Sequence, residues 1–219
     1  MQPGLTYLAG VNGSGKTTLL KCIAGLRPFE GEIEAGGISQ AAASPAAWAR
    51  VVALAPQQAL PPAHLTLSEF VCMGRFPWLK PWGAYSPQDL EAARRWMSRM
   101  GLSALPGRRT DELSGGEFQR AVLARTLCRE APVLLLDEPA QSLDPPARHG
   151  IYLLLQTLAS QGLTVLCATH DPEALRMPGA RVVGLREGRV VLDTAAGGLL
   201  SRLWPDVYGV SGEAALPIG

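Results

Sequence analysis

Gly10-Val11-Asn12-Gly13-Ser14-Gly15-Lys16-Thr17 is the stretch from which the fold can be read. Its spacing is G-x-x-x-x-G-K-[ST], in which the glycines let the backbone turn tightly and point successive N–H groups inward at phosphate oxygens. Ahead of it, Leu5-Thr6-Tyr7-Leu8-Ala9 is a short apolar run that reads as a buried strand. Behind it, a helix is expected from Lys16 to Ala24, stopping at Gly25. That helix offers its positive N-terminal end to the same anion. In this setting Lys16 is expected to reach the β- and γ-phosphates of a nucleotide, and the Thr17 hydroxyl to ligate Mg²⁺. A strand before and a helix after set the loop apart from a chance run of glycines. Alone it indicates only a P-loop nucleotide-binding protein, since kinases, GTPases and motors share it.

A second element stands at the end of another buried strand, Val133-Leu134-Leu135-Leu136-Asp137-Glu138. Open α/β sheets bind ligands at the carboxyl ends of their strands. Asp137 is placed to hold Mg²⁺ through water, and Glu138 to polarise an attacking water as base or orienting group. An ordinary strand exit with solvated acids is the alternative for this pair taken by itself.

Around these motifs apolar strands alternate with helices. Val51 to Ala55 and Leu163 to Ala168 read as strands, and a helix begins at Asp144-Pro145 with Ile151, Leu154, Leu155 and Leu158 on one face. Arg181 to Leu185 and Arg189 to Leu192 flank Arg186-Glu187-Gly188 as a hairpin. The pattern predicts an α/β fold with a mostly parallel sheet covered on both faces. Between about Pro56 and Leu113 helix-start signals dominate. Thr66-Leu67-Ser68-Glu69 and Ser86-Pro87-Gln88-Asp89 are capping boxes, and the second opens a helix expected to bury Leu90, Ala93, Met97 and Met100. This segment reads as a helical lobe inserted into the core.

The totals fit one such domain. The chain has 219 residues, of which 47% are hydrophobic and 18% charged, so it reads as globular. Twenty Lys and Arg against 19 Asp and Glu leave a net charge of +1, which argues against a nucleic-acid binder working by bulk charge. No run approaches the ~20 apolar residues of a membrane span, and the N-terminus lacks the pattern of a signal peptide. Cys22, Cys72, Cys128 and Cys167 are scattered and read as buried or free thiols of a reducing compartment.

Leu113-Ser114-Gly115-Gly116-Glu117 is the most specific motif. Ser114 and Glu117 form a capping box, and Val122, Leu123, Thr126 and Leu127 bury one side of the helix that follows. Two glycines in a first helical turn cost stability. They make sense where something must approach the backbone, and a bare helix N-terminus suits a phosphate. With these motifs in this order, the sequence resembles the nucleotide-binding subunit of ABC transporters over nearly its whole length. The resemblance implies a P-loop core over 1–57 and 114–208, a helical subdomain over 58–113 and a tail over 209–219. It implies Mg²⁺ and ATP, with Gly10, Asn12, Gly13, Ser14, Gly15, Lys16, Thr17 and Thr18 around the phosphates. It further implies a head-to-tail homodimer in which Ser114, Gly115, Gly116 and Glu117 of one copy face the nucleotide of the other, with Asp144 of Ser142-Leu143-Asp144 also reaching the partner's site. By the same resemblance Gln57 contacts Mg²⁺ and links the site to the helical lobe, while His170 senses the γ-phosphate; His64 and His149 read as surface residues.

The implied partners are two membrane permease subunits and an extracytoplasmic binding protein, with this chain peripheral on the cytoplasmic face of the inner membrane. A permease helix is expected in a groove near Gln57, where Trp78, Trp82 and Trp96 either line the docking surface or pack the core. Gly74-Arg75-Phe76-Pro77 and Asp206-Val207-Tyr208-Gly209-Val210 resemble the iron-siderophore, haem and cobalamin group of importers. A manganese or zinc importer, an ABC ATPase outside transport and an ATP-holding subunit with little turnover are the alternatives. Two departures from the family stand out. The chain starts nine residues before Gly10, so the antiparallel strand segment carrying an adenine-stacking aromatic is expected to be absent, and Tyr7 is poorly placed to replace it. Ala140 stands where the family often has Thr.

Overall fold

The computed structural model describes residues 3–80, 82–195 and 206–209. Strands β1 (Gly4–Ala9), β4 (Val52–Ala55), β5 (Val133–Asp137), β6 (Thr164–Ala168), β7 (Arg181–Arg186) and β8 (Arg189–Ala195) form one sheet in the order β4-β5-β6-β1-β7-β8. All neighbours run parallel except the β7–β8 hairpin. All five residues of β5 are buried, as a strand covered on both faces requires. Alternate side chains feed two cores. Val133 and Leu135 join Leu8, Leu20, Ile23 and Trp48 on one face. On the other, Leu134 and Leu136 join Leu5, Tyr7, Val165 and the helical lobe. The chain leaves β1 toward β4 on one side and later returns to place β7 on the other, so the end of β1 is a topological switch point.

Helix α1 (Lys16–Ile23) follows the phosphate loop as expected. A two-residue hairpin, β2 (Glu34–Ala35) and β3 (Ile38–Ser39), and helix α2 (Pro45–Val51) come next, and neither was read from the sequence. Ser44 caps α2, so the strand expected from Val51 begins at Val52. The insertion closes the far end of α1, whose last carbonyls lack helical partners. Gln40 Nε2 donates to the carbonyls of Cys22 and Ile23 at 3.0 and 3.1 Å, and Trp48 Nε1 to Ile23 at 2.9 Å.

Over 58–113 the chain forms α3 (Leu67–Cys72), a 3-10 turn over Met73–Trp78, α4 (Pro87–Arg99) and a second 3-10 turn over Thr110–Glu112. Both capping boxes close, Thr66 with Glu69 and Ser86 with Asp89. Ala93, Met97 and Met100 are buried as expected, whereas Leu90 is exposed and Asp89, Ala92 and Trp96 also point inward. Asp89 is held inward by its partners. Burial alone would raise its carboxyl pKa, but the Ser86 amide and hydroxyl and Arg75 donate to it and hold it below the usual range.

The Gly74–Pro77 stretch has a structural reading of its own. Arg75 Nε donates to Asp89 Oδ1 at 2.8 Å, and its Nη1 reaches the Cys128 carbonyl at 3.1 Å and Glu130 Oε2 at 2.8 Å. Trp78 lies against the Arg50 and Arg75 guanidinium groups, with its Nε1 on the Arg129 carbonyl at 2.8 Å. Together they fasten the 3-10 turn to α4 and to the end of helix α5 (Gly115–Cys128). The three tryptophans divide: Trp96 is core, Trp78 is exposed on one side while its other contacts form this brace, and Trp82 is fully exposed. All four cysteines are buried free thiols.

Gly74 packs so closely on α5 that an added Cβ would be driven into the Arg125 carbonyl oxygen. Gly74→Ala should therefore cost about 1–3 kcal/mol, read as a lower urea midpoint at unchanged slope. An unchanged midpoint would show that the turn does not press on α5.

Candidate functional site

The phosphate loop folds as its glycines dictate. Gly13 and Gly15 take φ of 82° and 105°, left-handed values that favour glycine. Gly10 is required for space, since an added Cβ would lie 2.5 Å from the Leu185 carbonyl oxygen and nearer still to Ser14 Oγ. Lys16 Nζ folds back to donate to the carbonyls of Gly10 at 2.7 Å and Val11 at 3.2 Å. Burial pulls its pKa down, and the negative charges of Glu138 and Asp137 push it back up. Ser14 Oγ is buried and has no hydrogen-bond partner among the described residues. An orphaned hydroxyl costs stability, so it marks a place made for something else to bond. The tip of the β7–β8 hairpin closes the loop from outside, Gly188 N–H donating to Ser14 O at 3.0 Å.

The acidic strand end faces this loop. Thr17 Oγ1 donates to Asp137 Oδ2 at 2.7 Å, across 120 residues of sequence. Glu138 takes φ 50°, an uncommon and strained value for a residue with a side chain. Its N–H is held by Ala168 O at 2.9 Å, which continues the β5–β6 pairing one step past the strand. The turn aims its mostly buried carboxylate at His170, whose Nδ1 lies 2.7 Å from Glu138 Oε1. Gln57 stands opposite, its Nε2 3.4 Å from Gln141 Oε1.

Asn12, Gly13, Ser14, Gly15, Lys16, Thr17, Thr18, Gln57, Asp137 and Glu138 line one cavity of about 380 Å³. Thr17 hydroxyl, Asp137 carboxylate and Gln57 amide are hard oxygen donors of the kind Mg²⁺ takes. Among the described residues no cluster of three His, Cys, Asp or Glu could hold a metal alone.

Ser114, Gly115, Gly116, Glu117 and Asp144 are not among the residues lining this cavity. Ser114 and Glu117 close the expected capping box on α5, and Asp144 caps helix α6 (Pro145–Ser160) through the Ala147 N–H at 2.8 Å. The two loops adjoin, with a Cβ on Gly116 lying 3.6 Å from Ser142 O. Tyr7 is sealed in the core, edge-on to Tyr152 with ring centroids 6.2 Å apart, and so has no face for adenine. His149 pairs with Glu173 on the surface. Of the Asp206–Val210 stretch, Val210 and the remaining tail lie outside the described residues. The place of Gln141 at the site, and that of the hairpin tip against the loop, were not found from sequence, because only the fold brings them there.

The chain matches the ABC transporter family over residues 2–141. It is 39% identical over 206 residues to the thiamine import ATP-binding protein ThiQ of Mesorhizobium japonicum, covering 93% of this chain and 79% of that protein. It is 36% identical over 211 residues to the phosphonates import ATP-binding protein PhnC 2 of a Synechococcus species, covering 92% and 78%. Among solved structures, a dimeric bacterial ABC transporter cassette superposes with a TM-score of 0.80 at 28% identity, covering 91% of this chain and 88% of that one. An inward-facing ABC transporter of metal-chelate type superposes at 0.79 with 25% identity, covering 96% and 79%. The two named sequence relatives import thiamine and phosphonates, so they do not carry the iron-chelate grouping expected from Gly74–Pro77.

Ser14→Ala separates binding from stability. Removing the unpaired hydroxyl should leave the nucleotide-free protein as stable or more so, by up to about 1 kcal/mol in urea unfolding. Nucleotide affinity should fall about three- to tenfold, the worth of one hydrogen bond. Lost stability with unchanged affinity would show a purely structural hydroxyl.

Proposed function

We propose that this chain, which belongs to the ABC transporter family, is the ATP-hydrolysing subunit that powers an importer of a small organic solute. The observation that carries the catalytic reading is the pairing of Glu138 with His170 at the rim of a cavity lined by Lys16, Thr17 and Asp137. The phosphate loop amides and Lys16 bind the ATP phosphates. Glu138 accepts the proton of the attacking water or orients it, and His170 holds that carboxylate in place. Thr17, Asp137 and Gln57 would hold Mg²⁺, which neutralises charge developing on the phosphates. On this reading the core spans 1–57 and 114–208, and the lobe 58–113.

Two copies would close head to tail, with Ser114 and Gly116 of each on the other's nucleotide, so that ATP favours the closed pair and hydrolysis reopens it. No helix among the described residues is long and apolar enough to cross a membrane. We place the chain at the cytoplasmic face of the inner membrane, beneath two permease subunits that receive cargo from an extracytoplasmic binding protein. The permease segment fits a groove of about 530 Å³ lined by Trp48, Ala49, Val52, Pro56, Arg125 and Arg129. Leu54 and Pro56 also line the neighbouring cleft that holds Gln57 and Thr17, which makes a short route from groove to metal side.

For the cargo, relatives at 36–39% identity favour a solute of the thiamine or phosphonate kind. A metal chelate keeps one point of support, the likeness in fold to a metal-chelate type transporter at 25% identity. Reconstitution with the cognate permease and binding protein decides this: thiamine or a phosphonate should stimulate turnover, and stimulation by an iron chelate alone would reverse the order.

Glu138→Gln should bind ATP as the parent does, lose turnover by at least about 100-fold and accumulate as an ATP-dependent dimer in light scattering. Turnover within a few-fold of the parent would remove Glu138 from the catalytic role.

A further inference from the structure

Asp206–Gly209 lies against the sheet in a way that none of the roles above uses. Val207 is almost completely buried and sits directly on β7, where a Cβ on Gly184 would collide with its Cγ2. Gly209, at φ 70°, turns the chain against the Arg186 guanidinium, which a Cβ there would meet at 3.6 Å. Gly184 pairs with Ala9, the residue before Gly10, so these anchors set the half-buried Tyr208 beside the start of the phosphate loop, within hydrogen-bonding reach of the Gly10 backbone. The bond stabilises the phenolate, so the phenol oxygen accepts it and the Gly10 N–H donates. Burial and the nearby Glu138 charge outweigh the bond and raise the hydroxyl's pKa, keeping it neutral.

Gly10 is held on its other sides as well. Leu185 O and Ser14 Oγ crowd its Cα, and Gly188 binds Ser14 O at 3.0 Å. The hairpin tip therefore fixes the far half of the loop, and Asp206–Gly209 its first residue. A loop that binds anions through backbone N–H groups works only while those groups stay aimed.

We propose that Asp206–Gly209 forms a wall of the phosphate loop and that Tyr208 is a positioning residue for nucleotide, fixing Gly10 through its hydroxyl without touching ATP itself. This rests on the reading of the chain as an ATP-binding subunit. Val207 supplies packing and Tyr208 supplies aim, so the two are separable by mutation.

The test is a titration of the full-length chain with a non-hydrolysable ATP analogue and Mg²⁺, beside melting curves for each variant. Tyr208→Phe keeps the ring and removes only the hydroxyl; it should weaken binding about three- to tenfold. Val207→Ala keeps the hydroxyl and opens a small cavity; it should lower the melting temperature while leaving the dissociation constant within twofold. Binding by Tyr208→Phe within twofold of the parent would overturn the proposal. So would equal weakening by Val207→Ala, which would reduce the segment to a stabilising plug. Failure of the parent itself to bind would overturn the ATP-binding reading and this inference with it.

Discussion

The end of β1 is pinned between two parallel neighbours, and every phosphate-facing group is placed relative to that edge. Leu8 is paired with Ala168 on one side and Val183 on the other, so the chain leaves the sheet at a fixed height. The same β6 strand pairs with β5 in a register that sets Asp137 opposite Ala168. Thr17 from the β1 side and Asp137 from the β5 side thus meet at 2.7 Å although 120 residues separate them. A one-step slip in either parallel pairing would turn alternate side chains to the wrong face and separate the two oxygens.

Around that edge the protein tolerates local cost. Glu138 carries left-handed backbone, and Ser14 hides an unpaired hydroxyl. Each is worth on the order of 1–3 kcal/mol against folding, and each is held by well-formed structure beside it. The Glu138 N–H is locked to Ala168 O, and Ser14 O to the hairpin tip. Cost concentrated where phosphate and water are to react, with satisfied structure around it, is the pattern expected of a pre-organised site.

Motifs with a local mechanism were legible in the sequence, and features made by tertiary contact were not. The three capping boxes, the phosphate loop and the buried strands are written in neighbouring residues and stand where they were expected. The two-residue strands β2 and β3 are too short for any period to show. Helix α2 did have a signal, Ser44-Pro45, the same cap and proline that mark α4. Leu90 was misplaced because apolar periodicity ignores a carboxylate drawn inward by Ser86 and Arg75. The Gly74–Pro77 stretch is weak support for any cargo, for a physical reason. Its contacts brace the turn against α4 and α5, inside this chain. A brace of that kind says how the lobe is built and carries no information about a transported solute.

The glycines at the head of α5 point outside the chain. Among the described residues a Cβ on Gly115 would meet nothing within 4 Å, and one on Gly116 would meet only ordinary contacts from 3.6 Å outward. Neither residue has the left-handed φ that favours glycine. Packing and backbone within this chain would therefore accept alanine at both positions. In a helix interior alanine is more favourable than glycine by about 0.8–1 kcal/mol per residue, and the difference is smaller at the N-terminus, where fewer backbone bonds form. An approach from beyond the chain, to a helix end whose N–H groups suit an anion, would account for glycine at both. The chain's own phosphate cavity is lined without these residues. A nucleotide carried by a second copy would meet both conditions, so the head-to-tail pair proposed above is the arrangement that would use the whole of this surface.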